Sequence, residues 1–129
     1  MSSIERHPLV LPLPMPLPLS RVVRAGDFLF LSGQIPLDSD GQLVRGDIRS
    51  QTDAAIERIK DSLALVGASL KDVVRVTVWL SDMTLFPGFN ETYASHFQSD
   101  FPTRSTVQAK LALDVDVEIE VQAWVGGKV

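Results

Sequence analysis

The chain has 129 residues, 22% of them charged and 45% hydrophobic, a balance that is typical of one globular domain. The net charge of −4 and the scattered lysines and arginines argue against a nucleic-acid-binding surface. Without cysteine and with only two histidines, the sequence offers no thiol nucleophile and no cysteine- or histidine-based metal centre. It also lacks a membrane-length apolar run and a secretory signal, so we expect a cytoplasmic protein without nucleic-acid or membrane partners.

Residues 1–19 are predicted to form a proline- and leucine-rich arm that precedes a single domain over residues 20–129. Prolines at positions 8, 12, 14, 16 and 18 remove backbone donors and favour polyproline II, which excludes a helix or a central strand. Two interpretations of the arm stay open. Its leucines pin an extended segment on the domain, or its prolines bind an SH3-like module.

The next segments predict a hairpin followed by a helix. Residues 21–23 and 28–32 are typical of two strands, because Ala25, Gly26 and Asp27 between them favour a turn. Asp47 is a candidate N-cap for a helix that runs to about residue 66, where Gly67 favours termination. Apolar residues recur in this helix at spacings of three and four.

The second half predicts one more helix and three strands. Residues 73–80 are rich in β-branched residues, and Asp82 is predicted to open a helix that carries aromatic residues on one face. Strands at about 104–111 and 116–125 complete a ββαβαββ order. This order predicts an α+β fold with a mixed sheet and two helices on one face. We expect a partner subunit to cover the other face.

The last predicted strand places two carboxylates on one face. Because strands alternate with a period of two, Glu118 and Glu120 share a face that Trp124 closes, opposite to Ile119. Arg104, at the start of the preceding strand, has the forked guanidinium that binds carboxylates. A carboxylate near such an arginine can hold and polarise a water molecule. The pairing favours a small anionic substrate that reacts with water.

Four segments carry a resemblance to a known family: 31–36 (LSGQIP), 89–93 (FNETY), 101–105 (FPTRS) and 117–120 (VEIE). Together with the element order, they resemble the RidA/YjgF family of reactive enamine and imine deaminases over residues 20–125. The resemblance implies a homotrimer of chorismate-mutase-like subunits with active sites between them. It also implies hydrolysis of 2-enamino and 2-imino acids to 2-keto acids and ammonia, without a metal or an organic cofactor.

The resemblance also assigns roles to residues. Arg104 matches the arginine that binds the substrate carboxylate, and Glu118, rather than Glu120, matches the glutamate that acts on the attacking water. Leu19 stands where many deaminating members have a tyrosine, which changes the shape and polarity of the pocket. The other residues expected to contact substrate are Ser32, Gly33, Asn90, Ser105 and Thr106.

Other functions remain open at the level of sequence. The same arginine-lined cleft suits a non-catalytic module that binds a keto or amino acid and regulates a partner. A pathway-specific deaminase, for instance one acting on an aminomuconate-like compound, is a variant of the first interpretation. Ribonuclease activity is disfavoured, because the chain is acidic and has no histidine near a basic patch.

Overall fold

A computed structural model describes residues 3–9 and 17–127, which form a mixed β-sheet with two α-helices on one face. Residues 10–16, the middle of the segment predicted to favour polyproline II, lie outside the described residues. In chain order the elements are β1 Ile4–Pro8, β2 Ser20–Ala25, β3 Phe28–Leu31, α1 Ile48–Leu65, β4 Val73–Leu80, α2 Phe86–Phe97, β5 Thr103–Gln108 and β6 Val117–Trp124.

The sheet has the strand order β1-β2-β3-β6-β4-β5, so the last strand of the chain lies inside the sheet. Among the described strands, β4 and β5 run parallel and the other neighbouring pairs run antiparallel. Parallel neighbours need a crossover connection, and α2 supplies it. Strands β1 and β5 form the two edges.

Local sequence explains α1. The Asp47 carboxylate accepts a hydrogen bond from the Ser50 amide at 2.9 Å and so caps the first turn. Gly67 adopts a φ of +74°, a conformation that glycine reaches without strain, just after the helix ends. The buried apolar face repeats at spacings of three and four: Ala55, Ile56, Ile59 and Leu63. The predicted helix is confirmed, and so is the strand at residues 73–80.

Three details of the predicted order were wrong. The edge strand β1 adds a sixth strand, and Pro8 is tolerated at its end because an edge strand leaves donors unpaired. Asp82 caps a short 3-10 turn, Met83–Leu85, and α2 begins only at Phe86. Strand β5 stops at Gln108 instead of continuing to about residue 111, because its partner β4 ends at the opposing Leu80.

The two sheet faces differ in cover. The helix face packs on α1 and α2 and holds the buried strand residues, with Val76, Val78 and Ile119 at its centre. The opposite face, which we call the bare face, exposes Phe28 and Trp124, each at 46%. Among the described residues no helix lies on this face, and cover by a partner subunit stays a prediction. Within residues 3–9 and 17–127, neither helix has the length and apolarity needed to cross a membrane.

Candidate functional site

Arg104 lies on the helix face, at the edge strand β5. It pairs in register with the buried Val76 of β4, so its side chain points toward α2. There its Nη2 donates a hydrogen bond to Oδ1 of Asn90 at 2.8 Å. Asn90, which was predicted to contact substrate, thus lies beside Arg104, and its contact with substrate stays a prediction. Thr106, two residues along β5, is on the same face.

Three aromatic rings of α2 surround the Arg104 guanidinium. Its central carbon lies 4.8 Å from the ring centroid of Tyr93, 5.3 Å from that of Phe89 and 5.5 Å from that of Phe86. These distances fall within the range of cation–π attraction. Burial raises the pKa of the Tyr93 phenol to about 12, against the opposing effect of the Arg104 charge. The phenol is therefore neutral at physiological pH.

A cavity of about 460 Å³ opens beside Arg104. Its walls are mostly aromatic or apolar, apart from Arg104 and Asn90: Phe86, Tyr93, Ala94, Phe101 and Pro102. Such a combination of apolar walls and one forked cation suits a small carboxylate with an apolar body. We call this set of residues the Arg104 half-site.

Glu118 lies on the bare face, where it opposes Trp79 of β4. Partial burial raises the pKa of its carboxyl, and the charge of Glu120 raises it further. Gly33 approaches this carboxylate so closely that a Cβ at position 33 would overlap it. The glycine thus leaves room for the carboxylate beside the backbone of the loop.

Backbone and side-chain bonds hold the Ser32–Gly33 loop against β6. Gln34 and Ile119 exchange two backbone hydrogen bonds, at 2.8 and 3.0 Å. The Ser32 hydroxyl donates to the Ser20 carbonyl at 2.6 Å, which ties the loop to the start of β2. Leu19, 43% exposed, immediately precedes that contact. Ser32, Gly33, Glu118 and the adjacent Leu19 form what we call the Glu118 half-site.

Sequence reasoning missed two residues that support this half-site. The buried Gln34 side chain donates to the Ser32 carbonyl at 3.0 Å and accepts from Nε of Arg58 at 3.0 Å. Arg58 therefore supports the loop from α1. The sequence held one weak signal, since a glutamine directly after Ser-Gly is costly to bury without hydrogen-bond partners.

The two half-sites do not meet within one chain. Arg104 points to the helix face, whereas Glu118 points to the bare face, and β4 separates their strands. Ser105 pairs with Thr77 and is on the bare face, opposite to its neighbour Arg104. The structure thus brings Asn90 to Arg104, and Ser32 and Gly33 to Glu118, but leaves these two groups apart.

Side chains that commonly bind metal ions are not clustered in the described part of the chain. No group of three or more histidine, aspartate or glutamate side chains there is arranged to hold a metal ion. His96 contacts Asp53 at 2.7 Å, so its ring joins α2 to α1.

Comparison with known proteins places this geometry in a family. The family model described as Endoribonuclease L-PSP matches residues 14–125. A RutC family protein of Pyrococcus horikoshii is 46% identical over 107 residues, which cover 81% of this chain and 85% of the relative. TdcF of Escherichia coli, named as a candidate reactive intermediate deaminase, is 36% identical over 78% of this chain and 81% of its own.

A solved structure agrees. YyfA of Yersinia pestis, described as a member of the conserved Rid protein family, superposes with a TM-score of 0.82 at 32% identity, covering 93% of this chain and 94% of that one. The matched region spans β2 to β6 and includes Arg104, Glu118 and the Ser32–Gly33 loop. The chain therefore belongs to the RidA/YjgF family, whose domain model carries the endoribonuclease name.

Proposed function

We propose that this protein hydrolyses reactive 2-imino acids, and the 2-enamino acids that tautomerise to them, to 2-keto acids and ammonia. One observation carries the proposal. A forked cation beside an apolar cavity and a half-buried carboxylate of raised pKa lie on opposite faces of one sheet. Each is half of a hydrolytic site, and two copies of the chain are needed to complete it.

Arg104 binds the substrate carboxylate. Asn90 accepts a hydrogen bond from one terminal nitrogen of the guanidinium. The other donors of the guanidinium are available to a ligand in the cavity. A bidentate contact fixes the carboxylate plane and therefore the position of the adjacent imine carbon. The gain is one of proximity and orientation.

Glu118 holds the water that attacks this carbon. A carboxylate with a raised pKa is a stronger base than an ordinary glutamate once it is ionised. Backbone amides of the neighbouring loop, at Gly33, and of β5, at Ser105 and Thr106, are candidates to stabilise developing charge.

The proton balance closes with one acid–base group. Water adds its oxygen to the imine carbon and gives one proton to Glu118, while the imine nitrogen, protonated as the iminium, becomes an amine. Glu118 returns the proton to that nitrogen, the C–N bond of the carbinolamine breaks and ammonia leaves. The carbinolamine hydroxyl loses its proton to solvent and becomes the keto oxygen.

The assembly that completes the site is a homotrimer, as the family resemblance implies. The bare face exposes aromatic side chains, among them Phe28, Phe30 and Trp124, and large apolar patches mark interfaces. Covering this face with a neighbour brings a second chain to Glu118. The protein should sediment near three times its 14.2 kDa chain mass.

Leu19 favours a second candidate, a regulatory module that binds keto acids without turning over imines. An apolar side chain at the residue before Ser20, whose carbonyl accepts the Ser32 hydroxyl, supplies no phenol to orient a substrate or water. Release of ammonia from a 2-imino acid generated in place by an amino-acid oxidase separates the two functions. Enzymatic acceleration supports the deaminase, and binding without acceleration supports the module.

Ribonuclease activity is not proposed, despite the name of the family model. The two histidines are placed apart from the half-sites, His7 on the edge strand β1 and His96 bound to Asp53. The net charge of −4 gives no favourable field for a polyanion.

Subunit complementation tests the shared site. Arg104→Ala chains and Glu118→Gln chains are each expected to be nearly inactive alone. After mixed refolding at equal amounts, about one quarter of the interfaces should combine an intact Arg104 with an intact Glu118, so activity should return. The double variant refolded with either single variant is the matched control and should stay inactive. Failure of the single variants to complement would contradict a site shared between chains.

A further inference from the structure

The aromatic face of α2 lies under the guanidinium of Arg104 and forms a shallow cage. Phe86, Phe89 and Tyr93 recur at spacings of three and four, so the helix aligns their rings in one stripe. All three ring centroids lie within 5.5 Å of the guanidinium carbon. Phe97 extends the stripe by another turn and stacks on Tyr93 at 4.6 Å. Among the described residues, the rings that contact the Arg104 guanidinium are those of Phe86, Phe89 and Tyr93.

The cage is electrically neutral, which distinguishes Arg104 from an ordinary partly buried arginine. None of the ion pairs among the described residues includes Arg104, and its hydrogen-bond partner, Asn90, carries no charge. A carboxylate partner would hold the guanidinium equally well but would have to be displaced by an anionic ligand. Ring faces attract the cation and leave its hydrogen-bonding edge free.

Tyr93 contributes its ring rather than its hydroxyl. The side chain is 4% exposed, and its hydroxyl oxygen has no hydrogen-bond partner among the described residues. An unpaired buried hydroxyl is costly, so the ring, and not the hydroxyl, is the part of Tyr93 that stabilises its surroundings. What Tyr93 does contact is the Arg104 guanidinium, at the shortest of the three distances.

We propose that Phe86, Phe89 and Tyr93 are positioning residues for Arg104: their rings fix the guanidinium plane so that its free edge faces the cavity and meets a substrate carboxylate. The effect on turnover rests on the function proposed above. The effect on the guanidinium itself belongs to the ligand-free protein and can be measured without any substrate.

Three variants of the stripe test the proposal. Tyr93→Leu removes the ring and keeps an apolar side chain, whereas Tyr93→Phe keeps the ring and removes the unpaired hydroxyl. Phe97→Leu is the matched control, because Phe97 is a buried aromatic residue of the same stripe and stacks on Tyr93. It lacks the contact with Arg104. Phe86→Leu, at the partly buried rim, replaces Tyr93→Leu if the latter does not fold.

The direct measurement is NMR relaxation of the Arg104 Nε–Hε group in the ligand-free protein. In the parent, Tyr93→Phe and Phe97→Leu we expect an order parameter near that of rigid backbone, about 0.85. In Tyr93→Leu or Phe86→Leu it should fall toward about 0.6 or less, as the guanidinium swings freely. An unchanged order parameter in whichever of these two variants is measured, or an equal fall in Phe97→Leu, overturns the proposal.

Kinetics then test the consequence for the proposed reaction. Tyr93→Leu should raise KM about fivefold, the size of one partly exposed cation–π contact, with kcat within about twofold of the parent. Phe97→Leu should lose thermal stability without this change in KM. If the parent releases no ammonia, the deaminase proposal fails, while the relaxation measurement still decides whether the rings hold Arg104.

Discussion

The Arg104 and Glu118 half-sites differ in how their surroundings act on the charge of the central side chain. Arg104 carries its charge among neutral aromatic rings and one amide, so the charge is kept in place without being neutralised. Glu118 is partly buried and lies near the carboxylate of Glu120. Both the burial and the neighbouring charge destabilise its ionised form and raise its pKa. The environment of Arg104 therefore keeps a cation available for binding, and the environment of Glu118 raises the basicity of a group that accepts a proton. Binding and chemistry should therefore respond separately to mutation.

The largest expected effect is on the chemical step. Glu118→Gln keeps the size and hydrogen-bonding shape of the side chain but cannot accept a proton. Imine hydrolysis should slow by about 10²- to 10⁴-fold, the usual loss for a general base. Binding of 2-oxobutyrate, measured by calorimetry, should stay near the parent value. Glu120→Gln is the control on the same face, and an effect as large as that of Glu118→Gln would move the base to Glu120.

The same substitution should stabilise the protein. The folded state raises the pKa of Glu118, so this group favours folding at low pH, and that contribution disappears as pH rises through the raised pKa. Above the raised pKa, the ionised carboxylate therefore opposes folding. Glu118→Gln should melt above the parent at pH 7 and close to it at pH 4. A lower melting temperature at pH 7 would mean that the carboxylate serves as a structural hydrogen-bond partner.

Substitutions of Arg104 should instead weaken the binding of keto acids. Arg104→Lys keeps the charge but loses the fork, and Arg104→Ala loses both. Loss of a charged hydrogen bond costs about 1.5–3 kcal/mol, or roughly a 10- to 150-fold weaker Kd for 2-oxobutyrate. Calorimetry gives the Kd directly. Undiminished binding by Arg104→Ala would remove the anion site from this residue.

Gly33→Ala tests whether position 33 needs glycine because of the space that the Glu118 carboxylate occupies or because of its backbone conformation. The new methyl group would overlap the Glu118 carboxylate, which is the end of a flexible side chain and can move away. We expect a loss of activity of about tenfold with little change in melting temperature, since a displaced base is misaligned for proton transfer.

Gly41→Ala is the matched control for this substitution. Position 41 has open space around the missing Cβ but a φ of +78°, which disfavours alanine. It should lower stability and leave activity intact. A stability loss in Gly33→Ala as large as in Gly41→Ala would show that the loop, rather than the carboxylate, yields.

The smallest effect concerns pH. The charge of Glu120 is one of the two causes that raise the pKa of Glu118. Removing it in Glu120→Gln should lower that pKa, so the acidic limb of the kcat/KM profile should move to lower pH. A limb that stays in place or moves upward would assign it to another group.

Much of the fold could be predicted from local patterns. The Asp47 cap, the apolar spacing of α1 and the β-branched run of β4 each specify their element without tertiary information. Strand β1 could not be predicted, because it is short, polar and next to a proline-rich run. Its place comes from pairing with β2, which local sequence does not encode.

The members of the site could be predicted, but their distribution over the two faces could not. Alternation along β6 assigns Glu118 to one face, yet the face of Arg104 depends on the register of β5 against β4. The aromatic residues of α2 were predicted to share one face, and Phe89 and Tyr93 on that face are buried. Their second role, beneath a cation, becomes visible only once β5 is aligned with the helix.

The separation of Arg104 and Glu118 by the sheet has a genetic consequence if each site is shared by two neighbours of a ring. A chain that lacks both residues spoils the two sites it borders, and in a trimer only the third survives. One damaged allele would then silence more than its own share of activity. Damage to a single half, by contrast, would inactivate only the sites that draw this half from a damaged chain, so the loss would equal that allele's own share.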